Sequence, residues 1–261
     1  MTQVLTVQEF TIFSPEGIPI HGIIHALEDG VRKPVLILSH GFRGFKEWGF
    51  WPHVANGFAE RGFYTVRFDF SRIAVKNSGA GERLLEESLT VSRELGDLES
   101  LLYAVLGGAL PLAGEADSAR IALLGHSRAG SSNLIFAGEH DNVSGVVVWN
   151  GGATPSAQVS GQPRPIAEDI ELHAERFHIP TRLGSLKIPV LAVQGAADAE
   201  RVLESFRLLQ EAAPEQTYVS IPGADHFFGI VHPYQGTTPY LEEAFEATAG
   251  FLTQHLLKKE A

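Results

Sequence analysis

The chain has 261 residues, 44% of them hydrophobic, which is enough for one large buried core, so we expect a single domain over residues 1–261. Its formal charge of −11 argues against nucleic acid or an anionic membrane as a partner. Cysteine is absent, which excludes disulfides and thiolate chemistry. Residues 1–9 lack the layout of a signal peptide and no apolar run is long enough to span a membrane, so we expect a cytoplasmic protein.

The first half of the chain predicts an antiparallel hairpin followed by alternating strands and helices. Two strand-like segments, 4–13 and 18–26, are joined by a turn that contains Pro15 and Gly17. The apolar patterns that follow predict a buried strand over 34–39, a helix over 51–61, a strand over 63–70, a loop to about residue 81 and a helix over 88–106.

The second half continues the alternation with one interruption. The predicted elements are a strand over 121–124, a helix over 131–137, strands over 143–149 and 189–193, a helix over 200–213, a strand over 216–221 and a helix over 240–257. Residues 153–187 break the pattern and are interpreted as a small lid over the strand ends, with helical character from 166 to 177. Continuous apolar strands separated by helices indicate an α/β fold, with a mostly parallel sheet covered on both faces.

The segment around Ser127 predicts a nucleophile elbow. The apolar strand before it ends at Gly125, and a helical pattern starts soon after the serine. A strand that turns at once into a helix crowds its own backbone, so only small residues fit beside the turning residue. Gly125, Ala129 and Gly130 meet this requirement, with Ala129 in place of the last glycine of the pattern. The alternative interpretation is an ordinary strand–helix turn with an exposed serine.

A glycine loop after the strand over 34–39 predicts a second part of the same site. Acyl transfer needs two preorganised N–H donors for the tetrahedral oxyanion. The backbone amides of Phe42, in the glycine loop, and of Arg128, directly after the serine, are the predicted donors of this oxyanion hole. His40 and Asp69 lie at strand ends beside the loop, and we expect both to support it rather than to transfer protons.

Two later strand ends supply the acid and the base that a serine nucleophile needs. A serine hydroxyl attacks only when a base takes its proton, and a third group must orient that base. Asp198 and His226 each lie on a loop that follows a predicted buried strand. The order Ser127, Asp198, His226 matches one known chain order of the catalytic triad, so His226 is the predicted base and Asp198 its partner. Asp225 and Glu200 are the alternative candidates for the acid that orients His226.

With these residues the chain resembles the α/β-hydrolase superfamily over nearly its whole length, and among its branches the dienelactone-hydrolase-like and cinnamoyl/feruloyl-esterase-like bacterial enzymes. The matching segments are His-Gly-Phe-Arg-Gly-Phe-Lys at 40–46, Phe-Asp-Phe-Ser at 68–71, Gly-His-Ser-Arg-Ala-Gly at 125–130, Gly-Ala-Ala-Asp at 195–198 and Gly-Ala-Asp-His-Phe-Phe at 223–228. The resemblance implies the α/β-hydrolase fold. After Asp69 many members carry Arg-Gly-x-Gly-x-Ser, whereas this chain has Ser-Arg-Ile-Ala-Val-Lys at 71–76.

The expected function is that of a serine hydrolase that cleaves carboxylic esters of small to medium acyl groups through an acyl-enzyme. A thioesterase or a peptidase would use the same triad, and a non-catalytic binding protein would have the same fold. The expected partner is a small-molecule ester, with Phe45, Trp149 and Phe177 as candidate substrate-binding residues; the alternative is that most of the aromatic side chains in these segments pack into the core. Since neither a Gly-x-Gly-x-x-Gly pattern nor a His/Glu metal cluster occurs in the sequence, we expect no cofactor and no metal. His21 and His25 share a strand face, and we expect a structural role for both.

Overall fold

The computed structural model describes residues 4–257, so residues 1–3 of the stretch compared with a signal peptide lie outside it. Its strands are β1 (Val4–Phe13), β2 (Pro19–Glu28), β3 (Lys33–Ser39), β4 (Tyr64–Phe68), β5 (Ala116–His126), β6 (Val143–Trp149), β7 (Val190–Gly195) and β8 (Thr217–Ile221). They form one sheet in the order β1-β2-β4-β3-β5-β6-β7-β8. β2 pairs antiparallel with β1 and β4, and the other neighbours are parallel. The predicted hairpin and mostly parallel sheet are confirmed.

Helices cover both faces of the sheet. They are α1 (Trp51–Glu60), α2 (Ser71–Asn77), α3 (Glu82–Ser88), α4 (Val91–Leu106), α5 (Arg128–Ala137), α6 (Arg164–Leu172), α7 (Ile179–Ser185), α8 (Glu200–Ala212) and α9 (Pro239–Leu252). Successive residues of a strand point to opposite faces. Along β3, Val35 and Ile37 accordingly join the core with α4 and α5, while Leu36 and Leu38 join the core with α1 and α9. Burial on both faces explains why the central strands are apolar throughout. None of the helices within residues 4–257 has the length and apolar character needed to cross a membrane.

The segment after β4 is helical, which corrects the predicted loop up to residue 81. α2 begins at Ser71, whose amide donates to Asp97 on α4 at 2.7 Å. The next residue, Arg72, reaches Glu94 on α4, with 2.6 Å between Nη1 and Oε1. These partners are 26 and 22 positions apart in the chain, so the local Gly/Ser/Lys composition could not indicate them. Tertiary contacts have overridden local propensity here.

The predicted helix over 88–106 is two helices, because α3 ends at Ser88 and α4 begins at Val91. Thr90, between them, is the N-cap of α4, and its Oγ1 accepts from the amide of Arg93 at 3.3 Å. The same hydroxyl donates to the carbonyl oxygen of Glu87 at 3.2 Å, at the end of α3. A threonine in this position satisfies an amide that the helix itself leaves unpaired, so it fixes where α4 starts.

The predicted lid segment, residues 153–187, contains α6 and α7, so its helical part is divided and α6 ends before residue 177. Asp169 of α6 accepts hydrogen bonds from both the amide and the hydroxyl of Ser92, at 3.1 and 2.5 Å. α7 packs against α5 and α8. The segment is therefore attached to the main body by hydrogen bonds from α6 and by the packing of α7.

Asp97 is a carboxyl group buried beneath α2, with 1% of the residue exposed. Burial raises its pKa to about 7, although the hydrogen bond from Ser71 and the charge of Arg72 act in the opposite direction. The carboxyl therefore holds a proton in the folded protein at pH values where it has lost it in the unfolded chain. Between about pH 4 and pH 7 the folded state binds more protons than the unfolded state, so stability falls as pH rises.

We predict that Thr90→Ala lowers the free energy of unfolding by about 1 kcal/mol, because the Arg93 amide loses its side-chain acceptor. Urea denaturation measures the effect. Ser100→Ala is the matched control on the same helix, since the Ser100 hydroxyl donates to the carbonyl of Gly96 within α4 and caps nothing. Equal losses in the two variants would contradict a capping role for Thr90.

We predict that Asp97→Asn becomes more stable than the parent protein as pH rises from about 4 to 7. The amide side chain retains an acceptor for Ser71 and cannot ionise, so it escapes the cost of burying a carboxylate. The measurement is the difference in unfolding free energy between variant and parent, by urea denaturation at pH 4.5 and 7.5. A difference that does not depend on pH would refute the assignment.

Candidate active site

Ser127 lies between β5 and α5 and carries the strain of that turn. β5 ends at His126 and α5 begins at Arg128, so the chain reverses its course within one residue. The backbone of Ser127 has φ of 57° and ψ of −126°, a region that residues with a side chain rarely adopt. The sharp strand–helix turn that the sequence predicts is therefore present, and Ser127 lies at the carboxyl edge of the parallel strands.

Three glycines allow other backbone segments to approach the elbow. A Cβ atom at Gly125 would lie 2.5 Å from the carbonyl oxygen of Ala129, and one at Gly151 would lie 2.1 Å from that of Ser127. A Cβ atom at Gly41, in the loop after β3, would lie 3.1 Å from the Cβ of Ser127. The first two distances are too short for any side chain. Close packing of three chain segments therefore holds Ser127 in its strained conformation.

The three residues proposed as a triad form one hydrogen-bonded line. His226 Nε2 lies 3.0 Å from Ser127 Oγ, and His226 Nδ1 lies 2.7 Å from Asp198 Oδ2. Asp198 follows β7 and His226 follows β8, as expected. The side chain of Asp198 is 3% exposed and that of His226 is 26% exposed. The imidazole can thus exchange a proton with a bound molecule, while the carboxylate behind it is shielded from water.

The charges along this line favour an ionised Asp198. Its burial alone would raise the pKa, but hydrogen bonds from His226, Ala199 and Gln194 and the interaction with the imidazole lower it overall below the ordinary value. The Ala199 amide donates at 2.6 Å and Gln194 Nε2 at 3.1 Å. Asp198 therefore remains an acceptor, and with Nδ1 of His226 as the donor, Nε2 is free to accept the serine proton.

Two residues that the sequence analysis did not single out hold the backbone of His226. Its carbonyl oxygen accepts from His126 Nε2 at 2.7 Å and from Asn150 Nδ2 at 2.9 Å. Asn150 also accepts from the amide of Gly195 at 2.7 Å, so one buried side chain joins the loops after β7 and β8. Burial, followed by the charge of His226, lowers the pKa of His126 to about 3, which makes its ring a neutral donor. Their positions at the ends of β5 and β6 are the only sequence signal of this role.

The glycine loop after β3 lies beside the elbow, as the approach of Gly41 to Ser127 requires. The amide of Phe42 donates to no acceptor within residues 4–257, and Arg128 is the first residue of α5, where amides lack a partner within the helix. His40 Nε2 accepts from the Phe70 amide at 3.2 Å, and Asp69 accepts from the Lys46 amide at 2.6 Å. His40 and Asp69 are thus bonded to loop backbone, in line with a supporting role.

The rivals of Asp198 have other partners. Asp225 Oδ1 accepts from the amides of Phe227 and Gly229, at 2.9 and 2.7 Å, and so closes the turn that follows His226. Glu200 pairs with Arg207 on the surface of α8. Adjacent side chains diverge along a chain, and Asp225 accordingly points into its own turn rather than toward the neighbouring imidazole.

Two of the three predicted substrate-binding residues are buried in the core, which corrects that prediction. Trp149 is fully buried, stacks on Trp51 at 6.2 Å and donates its indole N–H to Thr248. Phe177 is also fully buried, in the core on the opposite face of the sheet. Trp149, at the end of β6, and Phe177, in the lid segment, both point inward and fill the core. Phe45 is half-buried, and its ring meets that of His232 edge-on at 5.1 Å.

No group of three or more His, Cys, Asp or Glu side chains that could hold a metal occurs between residues 4 and 257. His21 and His25 bond separately. His21 pairs with Thr11 across β1 and β2, whereas His25 accepts from Arg67 Nε at 2.8 Å and bonds to Asn56 at 2.7 Å. Burial lowers the pKa of His25 to about 4, so it is a neutral link between strand and helix.

No protein-family model and no curated protein matches the sequence. Solved structures do match in fold. Est1E from Butyrivibrio proteoclasticus has a TM-score of 0.71 and 19% identity over 95% of this chain and 99% of its own. The dienelactone hydrolase from Anabaena variabilis has a TM-score of 0.64 and 18% identity over 97% and 99%. A puromycin-hydrolysing peptidase from Mycobacterium tuberculosis has a TM-score of 0.70 and 18% identity over 98% of this chain and 40% of its own.

These similarities extend over nearly the whole of this chain. At such low identity these similarities support the fold only, and any chemistry must be argued from the residues of this chain. The predicted fold class is confirmed: the chain has the α/β-hydrolase fold.

Proposed function

We propose that the protein is a serine hydrolase that cleaves carboxylic esters of small to medium acyl groups. The observation that carries this proposal is the line from Asp198 through His226 to Ser127, with contacts of 2.7 and 3.0 Å. A serine needs a base within hydrogen-bonding reach and an orienting group behind that base, and both are in place before any substrate binds.

The first half of the proposed reaction forms an acyl-enzyme. Ser127 Oγ attacks the ester carbonyl carbon while His226 Nε2 takes the hydroxyl proton, and the π electrons of the carbonyl move to its oxygen. When this tetrahedral oxyanion collapses, the bond to the alcohol oxygen breaks and the leaving oxygen takes the proton from His226. Asp198 stabilises the imidazolium that exists between these two transfers.

The second half returns the enzyme to its starting state. Water attacks the acyl carbon, His226 takes one of its protons, and collapse of the second oxyanion releases the carboxylic acid as Ser127 recovers a proton. The overall change is the conversion of an ester and water into an acid and an alcohol. The amides of Phe42 and Arg128 are the proposed donors to both oxyanions, since the two flank Ser127 and neither is used by the fold.

An aromatic surface beside the proposed base is the proposed substrate contact. Phe227 is 38% exposed, and its ring lies 5.0 Å from that of His226 and 4.7 Å from that of Trp48. The ring of Trp48 also stacks on that of His232 at 6.4 Å, and the ring of Phe45 packs edge-on against the same histidine. Partly exposed aromatic rings next to a reacting atom favour apolar acyl or alcohol groups, so Phe45 stays among the proposed substrate-binding residues while Trp149 and Phe177 do not.

We predict that the protein releases a burst of p-nitrophenol from p-nitrophenyl esters and that Ser127→Ala abolishes it. Loss of the nucleophile lowers kcat by about five to six orders of magnitude in such sites. Rapid-mixing absorbance measures the burst, and circular dichroism verifies the fold of the variant. Ser205→Ala is the control that retains the burst, because the hydroxyl of Ser205 on α8 donates only to the carbonyl oxygen of Arg201 in its own helix.

The same preparation separates the alternatives. A non-catalytic protein would show neither a burst nor labelling of Ser127 by a fluorophosphonate, and that result would refute the proposal. Matched thioesters and anilides of the same acyl group test the thioesterase and peptidase alternatives. A faster turnover of either class than of the ester would replace the substrate class and retain the nucleophile.

We predict that Asp198→Asn lowers kcat by about 10⁴-fold, because the amide cannot hold the His226 tautomer or stabilise its cation. The matched control is Asp225→Asn, which changes the neighbour of His226 but retains an acceptor for the turn amides. We expect that variant to stay within about tenfold of the parent, since it touches neither partner of the imidazole. Steady-state ester kinetics measure both, and a larger loss in Asp225→Asn than in Asp198→Asn would contradict the assignment.

A further inference from the structure

The carbonyl oxygen of Gly41 accepts a hydrogen bond from the backbone amide of Gly44, at 3.0 Å, and two more from buried side chains. His40 Nδ1 lies 2.8 Å from it and Arg72 Nη2 lies 3.1 Å from it. The residues His40 and Arg72 are 1% and 2% exposed, so neither contact competes with water. The peptide unit that contains this carbonyl also contains the N–H of Phe42, which is the proposed oxyanion donor. Both side-chain donors therefore act on the same amide group that would face the oxyanion, from its opposite end.

The positive charge in this cluster belongs to Arg72. His40 Nε2 accepts from the Phe70 amide at 3.2 Å, so its Nδ1 must carry the hydrogen that Gly41 accepts. Burial, with the charge of Arg72 acting in the same direction, holds the pKa of His40 well below its ordinary value. The imidazole is therefore a neutral donor, and the guanidinium is the charged one.

Arg72 is held rigidly in this position. Its Nη1 donates to Glu94 Oε1 at 2.6 Å, and Glu94 is 1% exposed. The guanidinium also lies over the ring of Phe70 at 4.5 Å. Glu94 is fixed in turn by the hydroxyl of Ser132 and by Arg128, whose Nε lies 3.3 Å away. Nη1 of the guanidinium thus pairs with a fixed carboxylate, one face of the group packs over the Phe70 ring, and Nη2 points toward the Gly41 carbonyl oxygen.

We propose that Arg72 is a positioning residue of the oxyanion hole, which orients and polarises the peptide between Gly41 and Phe42. A charged donor on a carbonyl oxygen draws electron density from the amide nitrogen, so the N–H of the same peptide becomes a stronger donor. The interaction gains strength in a site shielded from water. This inference rests on the proposed function, because only an attacked carbonyl would produce an oxyanion for Phe42 to bind.

A purely structural need does not account for this arrangement. Burying a guanidinium and a carboxylate costs solvation that their mutual attraction only partly returns, and apolar residues of similar volume often stabilise such positions equally well. Here the cation lies within hydrogen-bonding distance of the carbonyl oxygen of Gly41, the residue of the glycine loop that approaches Ser127. Its charge is therefore the property to test, separately from its volume.

The test compares two variants and a control. Arg72→Gln removes the charge and retains a polar side chain of moderate length. Arg72→Gln combined with Glu94→Gln also removes the carboxylate, so that Glu94 is not left as a buried charge without Arg72 if the single variant folds poorly. The control is Arg120→Gln. Arg120 likewise donates to a backbone carbonyl, that of Leu256 at 2.6 Å, and to the carboxylate of Asp117, but it lies at the opposite end of β5.

The readout is an aryl trifluoromethyl ketone labelled with ¹³C at the carbonyl. Attack by Ser127 gives a hemiketal whose oxygen occupies the oxyanion hole, and a pH titration by NMR gives the pKa of the hemiketal hydroxyl. We expect this pKa to rise by about 1 in both Arg72 variants and kcat for an ester to fall by about tenfold with little change in KM, a smaller loss than that of a whole donor. Arg120→Gln should leave the hemiketal pKa unchanged, and Arg72→Lys, which retains a cation, should recover part of the shift.

Two outcomes would overturn different statements. If the hemiketal pKa in the Arg72 variants equals that of the parent, the inference about Arg72 is wrong, even if kcat falls, because a purely structural defect lowers the rate without changing the donor strength. If the parent protein forms no hemiketal, or Ser127→Ala forms the same adduct, the proposed serine mechanism is wrong instead. The two failures are read from different samples in the same titration.

Discussion

At Ser127 the chain leaves β5 and enters α5 with φ of 57°, and this strained turn can persist only because neighbouring backbone surrounds it. Gly41 and Gly151 bring two other loops into contact with the serine, at distances where a side chain would not fit or would have to displace its neighbour. The same contact brings the peptide after Gly41 beside the hydroxyl. The strain at Ser127 and the packing that places the proposed oxyanion donors are therefore one feature of the fold.

Asp198 and His226, the proposed acid and base, lie at the same edge of the sheet. Parallel strands end at a common edge, so the loops after β7 and β8 meet there without any long connection. Asn150, at the end of β6, bonds to both loops, and His126, the last residue of β5, bonds to the carbonyl oxygen of His226. The residue before Ser127 thus fixes the backbone of His226, which couples the position of the proposed nucleophile to that of the proposed base.

The sequence predicts those parts of the molecule that depend on local pattern. Apolar runs indicate buried parallel strands, a small-residue motif indicates the elbow, and the placement of Asp198 and His226 after strands brings them to one edge. Sequence patterns fail where contacts between residues far apart in the chain determine the structure. α2 forms because Asp97 and Glu94, on another helix, accept its first residues, and Trp149 and Phe177 are buried although their positions suggest a pocket wall. Nothing within a window of neighbouring residues contains that information.

The segment that sequence reasoning interprets as a loop is the one that carries the buried cation. Residues 71–76 lack the glycine-rich pattern of the superfamily that the sequence resembles, and the helix they form places Arg72 within its first turn, facing α4. A glycine-rich loop would contribute backbone groups at this point, whereas a helix contributes a side chain with a fixed direction. The side chain of Arg72 ends at the Gly41 carbonyl oxygen. Residues 71–76, which lack the glycine-rich pattern, form α2, and the positive charge beside the proposed oxyanion loop therefore results from the formation of this helix.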